Sequence, residues 1–162
     1  MANVIITKNY LHELFEYREG KLYWKVARTN KTKAGMLVGN FDQYNNVCLN
    51  RKKIGVHRII FMMFYGYMPD YIDHIDGNTL NNNIKNLRPA TNIKNQYNAK
   101  LSKKNTSGYK NVTWDKVCNK WKVALTVEKK SILVGYFGDL NLAGLAAKEA
   151  RIKYHGEFAR HE

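Results

Sequence analysis

Ile72-Asp73-His74-Ile75-Asp76-Gly77-Asn78 sets a carboxylate and an imidazole side by side, immediately before a tight turn; Asn86-Leu87-Arg88 follows, and then Asn95 and Asn98. Tyr71 to Ile75 reads as a short strand on which Asp73 and His74 point to opposite faces. Asp76-Gly77-Asn78 reads as a turn that needs positive φ. Beyond an Asn-rich loop, Thr91 is expected to cap a helix running to about Ala99. Asn95 and Asn98, at i and i+3, share a face of that helix. The spacing can therefore return an acid, an imidazole and amides to one point in space.

Outward from this stretch, Val56 to Tyr65 is a dense apolar run led by His57-Arg58. Its length and the closing Gly66 favour a buried helix, although β-branched residues leave a strand open. Met68-Pro69 ends it. Residues 1–55 alternate strand-like runs (Lys21 to Val26, Tyr44 to Leu49) with Gly and Asn turns and form a β-rich N-terminal segment. Residues 99–107 are polar, basic and aperiodic, as in a linker. From Gly108 a second module begins, with strand candidates at Tyr109–Trp114, Lys120–Val127 and Ile132–Phe137. Asp139 then caps an amphipathic helix to about His155, with Leu142, Leu145, Ala146, Ala150 and Tyr154 near one face and Gly156 as C-cap.

The chain has 162 residues and carries 27 Lys+Arg against 13 Asp+Glu, a formal net charge of +14. Residues 1–98 hold 14 basic and 7 acidic groups and residues 99–162 hold 13 and 6, so the charge is not a tail. Both halves are suited to a polyanion, and no basic amphipathic helix points to a membrane surface instead. Cys48 and Cys118 stand far apart, which argues against a disulfide framework or structural zinc and fits a reducing cytosol. The first residues lack a signal peptide's apolar run, and Ile59 to Tyr65 is too short to span a bilayer. The expectation is an intracellular protein, in the host cell's cytoplasm, with no membrane role.

Phosphodiester hydrolysis needs an activated water, charge neutralisation on the phosphate and help for the departing oxygen. A hard cation such as Mg²⁺ supplies the last two and prefers oxygen ligands. Asp73 offers a charged oxygen and Asn95 a neutral one. His74 is the natural general base, a role that contributes ~10²–10⁴ in rate. Its second ring nitrogen needs an orienting acceptor, expected from an amide or carbonyl near Asn86. A lone Asp-His pair before a Gly-Asn turn is ordinary turn chemistry; the spacing of the whole set is what lifts it. His57 reads as packed or DNA-facing, His12, His155 and His161 as structural or surface residues, and Asp76 as a turn residue.

Asp73-His74, Asn86 thirteen residues after the aspartate and Asn95 nine later resemble the HNH endonucleases, in the phage and homing-type branch with Asn as third motif residue. The wording Val56-His-Arg-Ile, Asp73-His-Ile-Asp-Gly-Asn, Asn86-Leu-Arg and Asn95-Gln-Tyr-Asn carries the resemblance over roughly residues 50–100. It implies an α+β fold with a ββα-metal (His-Me finger) core at 56–100 behind the N-terminal segment 1–55. It also implies Mg²⁺ or Mn²⁺, one per site, on Asp73 and Asn95, His74 as base, Asn86 as a tether for the loop that positions His74, and Asn98 in support. No small-molecule cofactor is expected.

Residues 108–162, after the linker 101–107, resemble the APETALA-two/ERF-type DNA-binding domain through Tyr109-Lys-Asn-Val, Lys120-Trp-Lys-Val-Ala-Leu, Val134-Gly-Tyr-Phe and Ile152-Lys-Tyr-His-Gly-Glu-Phe-Ala. The resemblance implies three antiparallel strands packed on one helix and laid into a major groove. Lys110 stands for the usual Arg, Asn111 for a Gly, and Thr113 and Asp115 for Arg of the plant relatives. Lys lacks the bidentate fork of Arg, so phosphate contacts should dominate. Arg58, Arg88, Lys110, Trp114, Lys116, Lys120 and Lys122 are the expected DNA contacts; Phe137 is expected in the core, and Trp121 reads either as one of the aromatics on the DNA-facing side or as a core residue. The chain thus reads as a metal-dependent endonuclease of double-stranded DNA that nicks as a monomer or acts as a weak dimer. The rival is a catalytically silent DNA-binding regulator. An RNA-directed role is disfavoured by the second module.

Overall fold

Thr7 opens the first helix: its hydroxyl accepts the Tyr10 N–H (3.2 Å) ahead of α1 (Lys8–Leu14). This computed structural model describes residues 6–39 and 45–161, so Tyr44, the expected start of a strand, and the first five residues lie outside it. Two hairpins follow, β1 (Phe15–Arg18) with β2 (Lys21–Trp24) and β3 (Asn46–Leu49) with β4 (Lys52–Gly55). The apolar run then forms α2 (Val56–Tyr65), closed by Gly66 at φ 78° with its N–H on the Met62 carbonyl. This left-handed cap is the conformation for which glycine carries no Cβ penalty. A third hairpin, β5 (Tyr71–His74) with β6 (Leu87–Ala90), carries the acid and imidazole.

An isolated two-stranded hairpin is marginal in water, so these three depend on a shared core. Leu11, Phe15, Leu22, Trp24, Leu49, Ile59, Ile60, Phe61, Met63, Ile72 and Leu87 form it around α2. Each such side chain contributes about 1.5–3 kcal/mol of burial. The N-terminal segment and the β5–β6 hairpin therefore stand on one core. Compact units run from Met1 to Ala90 and from Thr91 to Glu162, whereas the sequence reading draws boundaries at 55, 100 and 107.

In the second unit, the Thr91 hydroxyl accepts the Lys94 N–H and starts α3 (Asn92–Tyr97). The Tyr97 ring stacks on His155, centroids 3.7 Å apart, and its hydroxyl accepts the Glu128 N–H. Residues 105–107, expected as linker, are a tied turn. The Asn105 carboxamide bonds the Gly108 N–H and the Tyr109 carbonyl, and buried Ser107 lies 2.9 Å from the Val112 carbonyl. An antiparallel sheet of β7 (Val112–Asp115), β8 (Lys120–Val127) and β9 (Lys130–Phe137) packs on α4 (Leu140–His155), capped by Asp139. Trp121 and Phe137 pack on its core of Val112, Val123, Ala143 and Ala147.

The face of α4 differs from expectation. Ala150 is buried as expected, but Leu142 and Leu145 are 58% and 60% exposed, and Ala143, Gly144 and Ala147 are buried in their place. The Tyr109 ring explains the choice: a Cβ on Gly144 would meet it at 2.6 Å. Close approach of helix and sheet admits only small residues there.

Candidate functional site

The β5–β6 register places Asp73 opposite Arg88 and His74 opposite Leu87. Directly opposed residues share a face, so the Asp73–Arg88 contact follows from the pairing. Arg88 Nε and Nη2 both reach Asp73 Oδ2, at 2.9 and 2.7 Å, with the Arg88 and Asp73 side chains only 13% and 4% exposed. Charge-assisted bonds this short and this buried fix the carboxylate. His74, on the neighbouring position, is also buried. Its Nε2 lies 2.9 Å from Oδ1 of Asn82, itself 2% exposed. The His57 ring approaches the His74 ring at 5.4 Å. Burial, then the neighbouring His74 and Arg58 charges, push His57 down to about 4, so it is neutral near pH 7.

Asn86 closes the loop between the strands. Its Oδ1 accepts the Asp76 N–H (3.0 Å), and its Nδ2 donates to Asp76 Oδ1 (2.9 Å) and to the Asn81 carbonyl (2.8 Å). Its own carbonyl accepts the Ile75 N–H. Asp76 caps the same loop. Burial alone would raise its carboxyl, but hydrogen bonds from the Asn78 N–H, Asn81 and Asn86 outweigh it and hold the group below the usual carboxylate range.

The first unit thus brings together Asp73, His74 and Asn86, with Arg88 on the aspartate. Asn95 and buried Asn98 lie on and just after α3, in the second unit. Among the described residues no group of three or more His, Cys, Asp or Glu could form a protein-only cage for a metal. One carboxylate with amide oxygens is instead the donor chemistry of a hard cation that keeps water or phosphate oxygens.

Several expected DNA contacts have structural partners. Arg58 donates to the Asp70 and Pro69 carbonyls (3.0 and 2.9 Å), pinning the chain that enters β5. Lys110 Nζ donates to the carbonyls of Tyr97 and Ala99 (2.8 and 2.6 Å) at the C-terminus of α3. Burial, then the charges of Arg151 and Arg160, lower Lys110 to about 8. Asn111 has φ 70°, the left-handed conformation in which glycine carries no Cβ penalty. Trp114 pairs with Trp121 in register, edge to face at 4.9 Å. It therefore sits on the sheet face of Val112 and Trp121, the side packed on α4. The opposite face presents Thr113, Lys122 and Tyr136 in one row and Asp115 with Lys120 in the next. Lys116 is exposed in the turn beyond.

The loop amide expected near Asn86 as the partner of His74 is Asn82, which only the fold separates from Asn81 and Asn83; the Arg88–Asp73 pair has no signal in the sequence.

The HNH endonuclease family matches residues 55–97 of this chain. Protein 3.8 of Escherichia phage T7 is 41% identical over 92 residues, which cover 56% of this chain and 74% of that protein. No solved structure matches the chain. Among the described residues no helix is long and apolar enough to cross a membrane. With an HNH endonuclease domain at residues 55–97 and this degree of identity over most of the phage protein, the chain belongs to the family of phage T7 Protein 3.8.

Proposed function

We propose that the chain is a metal-dependent HNH endonuclease that hydrolyses phosphodiester bonds in double-stranded DNA and nicks one strand as a monomer. The observation that carries the proposal is the placing of Asp73, buried His74 and the Asn86-stapled loop on one hairpin inside the HNH match. His74 serves as general base: it takes a proton from the water that attacks phosphorus. A buried imidazole fixed in orientation by Asn82 suits that step. Asn86 tethers the loop behind it. By the HNH resemblance, Asp73 and Asn95 hold Mg²⁺ or Mn²⁺, with Asn98 in support. When bound, the ion stabilises charge on the phosphate and the leaving oxygen.

We assign the second unit the role of a duplex tether of APETALA-two/ERF type. The three-stranded sheet on α4, the positive φ of Asn111 and the Lys120 and Lys122 side chains on the open face support it. Thr113 and Asp115 on that face, in place of Arg, favour phosphate contacts over base reading.

One observation favours the silent regulator as a second reading: Arg88 already neutralises Asp73. Supercoiled plasmid treated with the protein, with and without Mg²⁺, separates the two, with His74→Ala as control. Metal-dependent open circles that fall by ~10²–10⁴ in the variant are expected of the nuclease. Tight DNA binding with no cleavage at any enzyme excess, in wild type as in variant, would establish the regulator.

A further inference from the structure

We propose that Asn82 is a positioning residue for His74, and that the N-terminal β1–β2 hairpin is the brace that holds Asn82 in place. The inference rests on the nuclease reading for its catalytic consequence but not for its geometry.

The Asn82 oxygen that faces His74 Nε2 can only accept a hydrogen bond, so Nε2 carries the ring proton. Nδ1 is then the nitrogen whose lone pair can take a proton from water. A bond to one ring nitrogen sets which form the other adopts. At 2% exposure Asn82 has no alternative solvent position, and it locks the plane of the ring as well as its tautomer.

A buried carboxamide orients another side chain only if its own backbone is held. Three independent contacts hold this one. The Asn81 carbonyl, one residue before, accepts from Asn86 Nδ2 at 2.8 Å. The Ile84 N–H, two residues after, donates to the Tyr17 hydroxyl of β1 at 3.1 Å. The Tyr17 ring is itself fixed edge to face on Phe64 of α2, centroids 4.9 Å apart. Between these, the β1–β2 turn presses directly on the loop at Gly20. A Cβ there would meet the Asn83 nitrogen at 2.8 Å and the Asn82 carbonyl carbon at 3.1 Å. Gly20 also has φ 83°, so both its conformation and its neighbour require glycine. The first hairpin is thereby a part of the device that aims His74, which gives the N-terminal segment a catalytic purpose beyond completing the core.

The test uses the full chain labelled with ¹⁵N-histidine, reading the His74 tautomer by NMR beside kcat and KM for plasmid nicking. Wild type should show the Nε2–H form. Asn82→Ala should mix the two tautomers and lower kcat by ~10–100-fold with KM for DNA unchanged, the size usual for partners that orient a functional histidine. Asn82→Asp keeps an acceptor and should restore the Nε2–H form and most of kcat, which a merely structural role would not give. Tyr17→Phe removes one hydroxyl without disturbing the core and should move both readouts the same way by a smaller factor; Gly20→Ala should move them further if it folds. A folded Asn82→Ala variant with the wild-type tautomer and kcat overturns the role of Asn82. A Tyr17→Phe variant with both readouts unchanged overturns the brace. Should wild type cut no DNA, the nuclease reading falls, while the tautomer comparison still decides whether Asn82 orients His74.

Discussion

The two units carry similar charge, but the cations expected to meet DNA are set differently in each. Residues 1–90 hold 13 basic and 7 acidic groups, and residues 91–162 hold 14 and 6. In the first unit, Arg58 and Arg88 are tied to backbone carbonyls and to Asp73, and Asp73, His74 and Asn82 are all less than 10% exposed. In the second, Lys110 and Arg151 are similarly held, but Lys116, Lys120 and Lys122 stand on the turn and open sheet face. Fixed, dry polar groups meet the geometric demands of proton transfer. Long flexible cations on a solvated surface meet those of phosphate binding, which is tolerant of position. Composition alone makes the units look alike; among the cations expected to meet DNA, the difference lies in which of them are held by structural partners.

The largest expected effect breaks the buried pair of the first unit. Asp73→Ala strands the Arg88 guanidinium in a site where its side chain is 13% exposed. Removing one partner of a buried ion pair costs about 3–5 kcal/mol, so the urea midpoint should fall by a corresponding amount. The double variant Asp73→Leu with Arg88→Leu should recover most of it, because an apolar pair on the same cross-strand face leaves no uncompensated charge. A single variant within 0.5 kcal/mol of wild type would show that the pair is not desolvated, and the contrast between the units would weaken.

A second effect is the pH dependence of the first unit. The folded pKa of His57, about 4, lies below its ordinary 6.5. As pH falls, the unfolded chain therefore takes up this proton first. Stability is intact above pH ~6.5 and is lost as pH falls toward 4, by about 2 kcal/mol at pH 5 from this group alone. His57→Gln should flatten the urea midpoint between pH 7 and 5 relative to wild type. An unchanged slope would mean that other groups set the acid sensitivity.

Much of the fold is legible because its signals are local. Gly66 after Val56 to Tyr65, Thr91 before α3 and Asp139 before α4 each act within a few residues, and each element begins or ends where its cap stands. The motif Asp73-His74 with Asn86 is legible for the same reason, as a turn chemistry bridging one hairpin. What escapes is set by contacts distant in sequence. The buried face of α4 is chosen by the Tyr109 ring against Gly144, so the large residues Leu142 and Leu145 turn outward despite their hydrophobicity. Asn82 cannot be told from Asn81 or Asn83 until Gly20 and Tyr17 arrive from the N-terminal hairpin.

The smallest effect on stability should be the largest on salt dependence. Lys116, Lys120 and Lys122 each face solvent or the open sheet, and surface substitutions of this kind stay within about 0.5 kcal/mol. Their replacement together by Gln should leave the urea midpoint nearly unchanged. The slope of log K against log salt for duplex binding should fall by roughly 2–3, since each neutralised phosphate contributes about 0.9. Trp114→Ala should do the reverse: it removes the edge-to-face partner of Trp121, lowering stability by about 1 kcal/mol while leaving the salt slope alone. If instead the triple lysine variant keeps the wild-type slope and Lys110→Met lowers it, the phosphates lie on the α3 side of the second unit. The open sheet face would then be only a solvated surface, and the division of labour between fixed and free cations would have to be redrawn around Lys110.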